Sequence, residues 1–554
     1  MVAGCGIAFS SCNVLELDPT GWYGEDVTYA SVENLDLYVK GLYDVLYSCS
    51  DISSSIIMDD GMSDLIKYSW YTSNGQVNRA FYEPTYVTVN SNFRNRWDNL
   101  YQHIRKLNEY FYDLSNGYGS SLDQDQLKIR TAEVRFLRAF CYQELIIRYG
   151  GVPLRISEDH VDGPEDRALA RSSEEDCWDF VIGEYDRAAQ DLPQTWAASE
   201  TGRITKGAAY GMMARASLYA GRWQDAIDAC DLVFGLDQYS LLPGTSYSSY
   251  YQIFTSVNNS ELILPVYFQQ STGSANGKQH NFNTWFCPPD DNVVLGVPNA
   301  AVGAAATPSD EYASTFDIMV DGEWQDFSWD NLESYGNRPF DNREPRFYAS
   351  ILYDGANWLG RNLDLSADGD SYMDFATSGQ DAVHKTTTGY IFRKFMSDSR
   401  SINFTNILSG QYWIEMRLAE IYLIRSEANA RLGQFGPAYD DLNEIRTRVG
   451  LPEASQTGDW DSYLQDLSKE RICELGLEGH RWYDLVRWGI AQEVLDGSRL
   501  HGIRITRNND GTSNYERVEC DTQDRLFPER MNIFPIPYTE IRNNSLCVQN
   551  EQWL

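Results

Sequence analysis

The run from Lys469 to Gly489, KERICELGLEGHRWYDLVRWG, places Glu470, Glu474, Glu478, His480, Arg481, Asp484 and Arg487 within twenty-one positions. Carboxylates, an imidazole and guanidinium groups at this density fit three chemistries: acid–base catalysis by paired carboxylates, a metal centre, or the ion pairs of a scaffold. A zincin-type centre needs H-E-x-x-H, two histidines one helical turn apart. Here a single His480 follows Glu478 by two positions, roughly on the opposite side of a helix. Glycoside hydrolysis needs a set distance between two carboxyl groups, which spacing along one chain does not supply. Glu470, Glu474 and Glu478 recur every four residues and so share one helix face, although Gly476 and Gly479 make that helix irregular. The charges alternate with Leu475, Leu477, Trp482, Leu485, Val486 and Trp488. The pattern is that of ion pairs on a packed helix, with Asp484 meeting Arg487 and with Glu474 or Glu478 reaching Arg471 or Arg481.

The rest of the chain offers no stronger catalytic signal. It has no G-x-S-x-G elbow, P-loop or G-x-G-x-x-G, and its six histidines stand singly at 103, 160, 280, 384, 480 and 501. LDLSADGD (363–370) lacks the ligand spacing of a calcium loop. The expectation is a protein that is not an enzyme and takes no cofactor and no metal.

Composition narrows the partners. Lys plus Arg is 45 and Asp plus Glu is 80, a formal charge of −35 over 554 residues. So acidic a surface repels phosphate backbones, which excludes nucleic acid; a neutral ligand feels little of that field. Fifteen Trp and thirty-six Tyr supply many flat amphipathic rings. None of the ten cysteines forms a C-x-x-C pair, and Cys141, Cys230 and Cys473 sit in helical apolar settings as small core residues. No run of about 18 apolar residues is present to span a membrane. The first residues, MVAGCGIAFSSCN, read as the end of a signal peptide, with small residues before a cysteine as in lipoprotein processing. Cys12 is the expected lipidation site. Cys5 is the rival, with little chain before it, and an ordinary N-terminal stub is the bland alternative.

Helical periodicity dominates the first 235 residues, in NLDLYVKGLYDVLYS (34–48), RWDNLYQHIRKLNEYFYDL (96–114), IRTAEVRFLRAFCYQELIIRYGGVPL (129–154) and SSEEDCWDFVIGEYDRAAQDLP (172–193). Gly150-Gly151 and Pro153 stop the third, and Ser172 or Ser173 caps the fourth. Gly221, Trp223 and Ala226 fit the helix turn of tetratricopeptide units, and Gly433, Phe435 and Ala438 repeat it. Between the two pairs lies a stretch rich in Gly, Ser, Asn, Asp and aromatics. The expected organisation is a signal-peptide remnant (1–11), an N-terminal helical scaffold (12–235), a loop-rich insertion carrying the ligand face (236–410) and a C-terminal helical scaffold (411–554). The fold class is mostly α, a tetratricopeptide-like helical-pair scaffold with a long loop-rich insertion.

ERICELGLEGHRWYDLVRWG resembles the C-terminal signature of the SusD/RagB-like family, the nutrient-binding lipoproteins of Bacteroidetes outer membranes. SSCNVLELDPTG, RFLRAFCYQELIIRYGGVPL, GRITKGAAYGMMARASLYAGRW, TPSDEYASTF, NREPRFYASILYDG, GYIFRKF, RLAEIYLIRSEANA and NIFPIPYTEIRNNSLCVQN follow in the family's order, so the resemblance covers nearly the whole chain. It implies a lipid-anchored, cell-surface protein that is no enzyme and that acts as the lid of a SusC-like TonB-dependent outer-membrane barrel. Most such proteins bind oligosaccharides; the branch that includes RagB binds peptides. The shared motifs are scaffold and transfer no binding residue. The lipidated cysteine transfers to Cys12, which is the chain's one expected link to the membrane.

Sugar recognition needs flat rings beside hydrogen-bonding side chains. Among aromatics outside the periodic positions, Trp70, Tyr71, Trp285 and Tyr390 are the candidates, with Trp324, Trp329 and Trp358 behind them. Asp51, Asn74, Asn283 and Arg361 are their expected polar partners. A fructan or another neutral glycan suits this set; an oligopeptide is the alternative ligand.

Overall fold

The structure is a computed structural model, which describes residues 24–53, 58–69, 96–156, 168–269, 278–297, 302–369, 371–372, 384–402, 408–521 and 523–554. Cys12, Trp70, Tyr71 and Asn74 lie outside the described residues.

The chain is mostly helical. In its N-terminal part are α1 (Val32–Leu42), α2 (Trp97–Ser115), α3 (Gln124–Tyr149), α4 (Glu174–Asp191), α5 (Lys206–Tyr219) and α6 (Trp223–Phe234). Local chemistry sets their ends. Ser31, Ser173 and Thr205 cap α1, α4 and α5 by accepting the amide hydrogens of Asn34, Asp176 and Ala208. Gly150 ends α3 at φ +69°, a left-handed turn that a side chain resists. Beyond its first turns helix α3 is buried on nearly every side, with Arg130, Glu133, Arg138, Glu144 and Arg148 included, and these are paired. Glu133 receives Arg203 through Nε at 2.9 Å and Nη2 at 2.5 Å, and Arg138 meets Glu184 at 2.7 Å.

The C-terminal part holds α7 (Leu418–Arg431), α8 (Phe435–Arg448), α9 (Trp460–Leu475) and α10 (Arg481–Trp488). Helices α5–α6 and α7–α8 are two hairpins turned by Gly221 at φ +71° and Gly433 at φ +75°. The hairpins pack on each other along α6 and α7, and there Arg425 bridges Asp441 and Asp231 at 2.7 and 2.6 Å.

The long segment between the hairpins is built of short helices, turns and two-stranded pairs. Its base is closed by β1 (Leu262–Val266) running antiparallel to β2 (Trp413–Arg417). Near the C-terminus, β3 (His501–Arg507) pairs antiparallel with β4 (Ser513–Glu519). One hydrophobic core draws residues from the whole described length, from Tyr29 to Cys547. A second, around Leu423, Tyr439, Leu442, Tyr463 and Leu467, joins α7, α8 and α9.

Candidate functional site

The dense charged stretch is α9, a turn at 476–480, and α10. Its carboxylates face inward: Glu470 is 1 %, Glu474 0 % and Glu478 5 % exposed. Arg417, the last residue of β2, forks onto Glu478 at 2.8 and 2.7 Å and reaches Glu474 and Glu261 at 2.6 and 2.7 Å. Lys394 donates to Glu478 Oε1 and to the Gly476 carbonyl, both at 2.7 Å. Arg448 holds Glu261 at 2.7 Å and also pairs with Glu474. Arg346 joins Glu344 at 2.6 Å, Glu474 at 3.2 Å, and Glu470. Burial alone would raise the Glu478 carboxyl, but Arg417 and Lys394 outweigh it and hold it at about 2. Burial likewise pushes Glu474 upward, and Arg448, Arg417 and Arg346 together pull it far below the ordinary range. Each is already shared among cations, and of the three only Glu478 borders a cavity, a small one described below. The cluster is a clasp that ties the insertion (Arg346, Lys394) to β1, β2, α8 and α9.

The pairing expected along the stretch is met only in part. Asp484 does meet Arg487, at 2.8 Å. Glu474 and Glu478, however, find their guanidinium partners in Arg417, Arg346 and Arg448, far away in sequence, because α9 turns that face into the core. Arg471 instead forks onto Asp484 at 2.7 and 3.0 Å, and Arg481 forks onto Asp64, at 3.0 Å through both nitrogens. The turn between the helices needs its glycines. A Cβ on Gly476 would stand 2.4 Å from the Ile472 carbonyl and 2.6 Å from the Tyr312 ring. Gly479 lies at φ +83°, and buried Leu477 between them is held at φ +71°.

Beside this turn is a small polar cavity of about 50 Å³, walled in part by Asp51, Arg96, Gln143, Glu415 and His480. Gln143 is 2 % exposed, and its Oε1 has no hydrogen-bond partner among the described residues. Burial raises the Glu415 carboxyl to about 7 against the opposing pull of Arg215 and lowers the His480 imidazole to about 4. The space suits ordered water, which needs two to four polar neighbours. Among the described residues, no group of His, Cys, Asp and Glu is arranged to hold a metal ion.

The candidate ligand residues separate. Asn283, Trp285 and Arg361 share one neighbourhood through the segment 282–294. Trp285 is half-buried on the short helix Phe282–Phe286. Asn283 is spent on backbone, donating to the Ser397 carbonyl at 2.7 Å and accepting its amide at 3.1 Å. Arg361, on the hairpin Asn357–Trp358/Arg361–Asn362, forks onto Asp290 at 3.0 and 2.6 Å and reaches Asp291 at 2.5 Å. Trp358 is buried and donates to Asp291 at 2.9 Å. Asp51 and Tyr390 lie elsewhere, both inside the protein. Asp51 is 3 % exposed and accepts the Asp59 amide at 2.7 Å. Tyr390 is 2 % exposed and donates to Asp310 at 2.9 Å. The sequence TTTGY has loop composition, yet Gly389 turns Tyr390 into the short strand Ile391–Phe392 and the ring packs on Phe340. Trp329, half-buried, shares that same Asp310, donating at 2.9 Å. Among the described residues no helix is long and apolar enough to cross a membrane.

Known proteins resemble this chain over almost its full length. The SusD-like protein P25 of Formosa agariphila is 24% identical over 514 residues, covering 88% of each chain. The starch-binding protein SusD of Bacteroides thetaiotaomicron is 23% identical, over 97% of this chain and 90% of its own. A solved SusD-like protein of Bacteroides fragilis superposes with a TM-score of 0.76 at 27% identity, covering 95% of this chain and 98% of that one. A laminarin-binding SusD-like protein shares the fold, with a TM-score of 0.66 at 23% identity over 94% and 99% of the two chains. A family model described as starch-binding associating with outer membrane matches residues 23–218. The model of the SusD family matches residues 260–553, a span that holds the clasp, its turn and the Trp285–Arg361 neighbourhood, and the chain belongs to that family.

Proposed function

We propose that this protein is a cell-surface glycan-binding lipoprotein that captures a neutral oligosaccharide and serves as the lid of a SusC-like TonB-dependent outer-membrane importer. Family membership carries the reading, and the starch- and laminarin-binding relatives support carbohydrate as the ligand class. The chemistry agrees with it. The net charge of −35 disfavours polyanions, and the buried carboxylates most suggestive of catalysis are bound to cations rather than presented to a substrate. Trp285, with Asn283 and Arg361 in its neighbourhood, is the proposed stacking residue; Trp70, Tyr71 and Asn74 complete the set from outside the described residues. Tyr390 and Asp51 act from within, by holding Asp310 and the Asp59 amide in place. The helical hairpins are the tetratricopeptide-like frame that holds the insertion 236–410, and Cys12 carries the lipid.

Affinity electrophoresis in gels containing laminarin, starch, inulin or xylan tests the ligand class. Retardation by at least one glycan, weakened in Trp285→Ala, is the expected result. Migration unchanged in every gel, with a peptide recovered from the native protein by mass spectrometry, would replace the glycan by an oligopeptide. Co-purification of an outer-membrane barrel with the wild-type chain, lost in Cys12→Ala, tests the anchor and the lid together.

A further inference from the structure

Three tyrosines from separate stretches of the chain, Tyr353, Tyr390 and Tyr515, pack around Phe340. Tyr353 tilts against that ring with centroids 4.9 Å apart, and Tyr515 of β4 stands edge-on to it at 5.5 Å. Tyr348 lies 5.8 Å from Tyr353. Phe340 itself is 5 % exposed and is backed by Phe347 and Tyr390. It forms a fixed floor, while Tyr348, Tyr353 and Tyr515 are only half-buried. Tyr247 is 47 % exposed and carries the Arg393 guanidinium 5.2 Å from its ring centre.

The surroundings are polar and mixed in sign. Arg393 joins Tyr247 to this group through the Asn357 carbonyl, four residues past Tyr353, and the helix Tyr247–Thr255 packs on the helix Pro345–Ser350 that carries Tyr348. Arg507 donates to Asp354 at 2.7 Å. The Asp341 side chain is 56 % exposed, with Arg338 at 3.5 Å. Arg393 is 9 % exposed; its Nη2 donates to the Asn357 carbonyl at 3.1 Å, and its Nε has no hydrogen-bond partner among the described residues.

Tyr348 is fixed by its hydroxyl, which donates to the Phe340 carbonyl at 2.7 Å and accepts the Arg343 amide at 3.0 Å. Here half-open rings are held rigid by an aromatic floor and bordered by carboxylates and guanidinium groups. Flat faces of this kind meet the C–H face of a sugar, and the border offers donors and acceptors to its hydroxyls. With both signs of charge at the border and a strongly acidic chain behind it, an uncharged ligand fits where a polyanion does not. We infer that Tyr247, Tyr353 and Tyr515 form a second carbohydrate-contact platform, distinct from the Trp285 group, that takes a neutral oligosaccharide. The inference rests on the glycan-binding reading above. The segment 351–363 carries both Tyr353 and Arg361 and so connects the two groups.

Dissociation constants for laminarin, starch, inulin and xylan, with melting temperatures as a check on folding, test the platform. The proteins compared are wild type, Tyr247→Ala, Tyr353→Phe and the double variant Tyr247→Ala/Tyr353→Ala. The double variant is expected to bind roughly tenfold more weakly or worse, the scale of losing a central aromatic contact. Tyr353→Phe keeps the ring and stays within about threefold of wild type, on the same scale. Tyr247 is exposed enough that its truncation leaves the fold intact, so a loss in Tyr247→Ala alone cannot come from misfolding. If wild type binds a glycan and both Tyr247→Ala and the double variant bind it equally well, the platform is refuted while the glycan reading stands. If wild type binds none of the four, both are refuted together.

Discussion

Arg417 holds Glu478 with two parallel hydrogen bonds, Nε to Oε2 at 2.8 Å and Nη2 to Oε1 at 2.7 Å, where neither side chain is open to solvent. Lys394 sits on the same carboxylate. Replacing Glu478 by Gln keeps the volume but removes the charge, which leaves Arg417 and Lys394 buried with less compensation. Breaking a buried ion pair from one side typically costs about 3–5 kcal/mol. Glu478→Gln is therefore expected to lower stability by that order in urea unfolding, while ligand affinity of the folded fraction stays near that of wild type. An unchanged urea midpoint, or a specific loss of affinity at full stability, would return this carboxylate to the list of ligand or catalytic groups.

Two glycines, Gly476 and Gly183, should respond to alanine in opposite ways. At Gly476 the added Cβ meets the Ile472 carbonyl at 2.4 Å and Tyr312 Cε2 at 2.6 Å, and backbone and a fully buried ring have nowhere to move. Gly476→Ala is expected to cost on the order of 2–4 kcal/mol, in the range of overpacking with backbone displacement. Gly183, in the middle of α4, meets only the exposed Arg187 guanidinium, at 3.7 Å. There Gly183→Ala should stabilise by about 0.5–1 kcal/mol through helix propensity. Thermal melts of the two variants check both; equal melting temperatures would show that the 476–480 turn can relax.

Periodicity and stop signals located the helices because these are local properties. Ser173, Gly150, Gly221 and Gly433 each do in the structure what their positions implied. The charged stretch was legible as ionic scaffold, since apolar residues interleave its charges. Its partners were not, because nothing near Glu474 or Glu478 announces Arg346, Lys394, Arg417 or Arg448; these arrive from other elements once β1 and β2 pair. The ligand face was harder to read for a related reason. Tyr390 and Asp51 sit among Gly, Ser and Thr, as loop residues do, yet tertiary packing buries them both. Tyr353 and Tyr515 show no motif at all. Tyr515 alternates with charged residues on an ordinary strand, and only the folded chain sets it against Phe340.

Cys49, Cys141, Cys177, Cys230, Cys287, Cys473, Cys520 and Cys547 are all buried and unpaired. Burial raises the Cys49, Cys177 and Cys547 thiols to about 11, which suppresses the reactive thiolate. In the native protein at pH 8 these eight should resist a disulfide reagent or iodoacetamide, and all eight should react in guanidinium chloride. Peptide mapping by mass spectrometry distinguishes them from Cys5 and Cys12. Rapid native labelling at any of the eight would show that its part of the core opens.

Acid should act on the protein in two stages, opposed contributions above about pH 4 and a loss below it. Burial holds the His480 imidazole down to about 4, with Glu420 and Asp484 opposing and Arg215 and Arg471 assisting. The unfolded chain protonates this residue near 6.5, so between about 6.5 and 4 it binds more protons than the fold, and stability falls as pH falls. Asp60 and Glu415 act in the opposite sense. Burial raises each to about 7, so the fold keeps protons that the unfolded chain has lost; their contribution is present at low pH and fades as pH rises through 7. Below the ordinary carboxylate range the second stage begins. Glu478 and Asp484, both held at about 2 by cations that outweigh their burial, stabilise the fold above pH 4.5. That contribution disappears as pH falls toward 2. Urea midpoints at pH 7.5, 6.5, 5, 4 and 3 trace the curve for wild type and for His480→Asn. The variant is expected to start less stable and to gain on wild type between pH 6.5 and 4, while keeping the loss below 4. Parallel curves from pH 6.5 to 4 would mean that His480 does not carry the first stage.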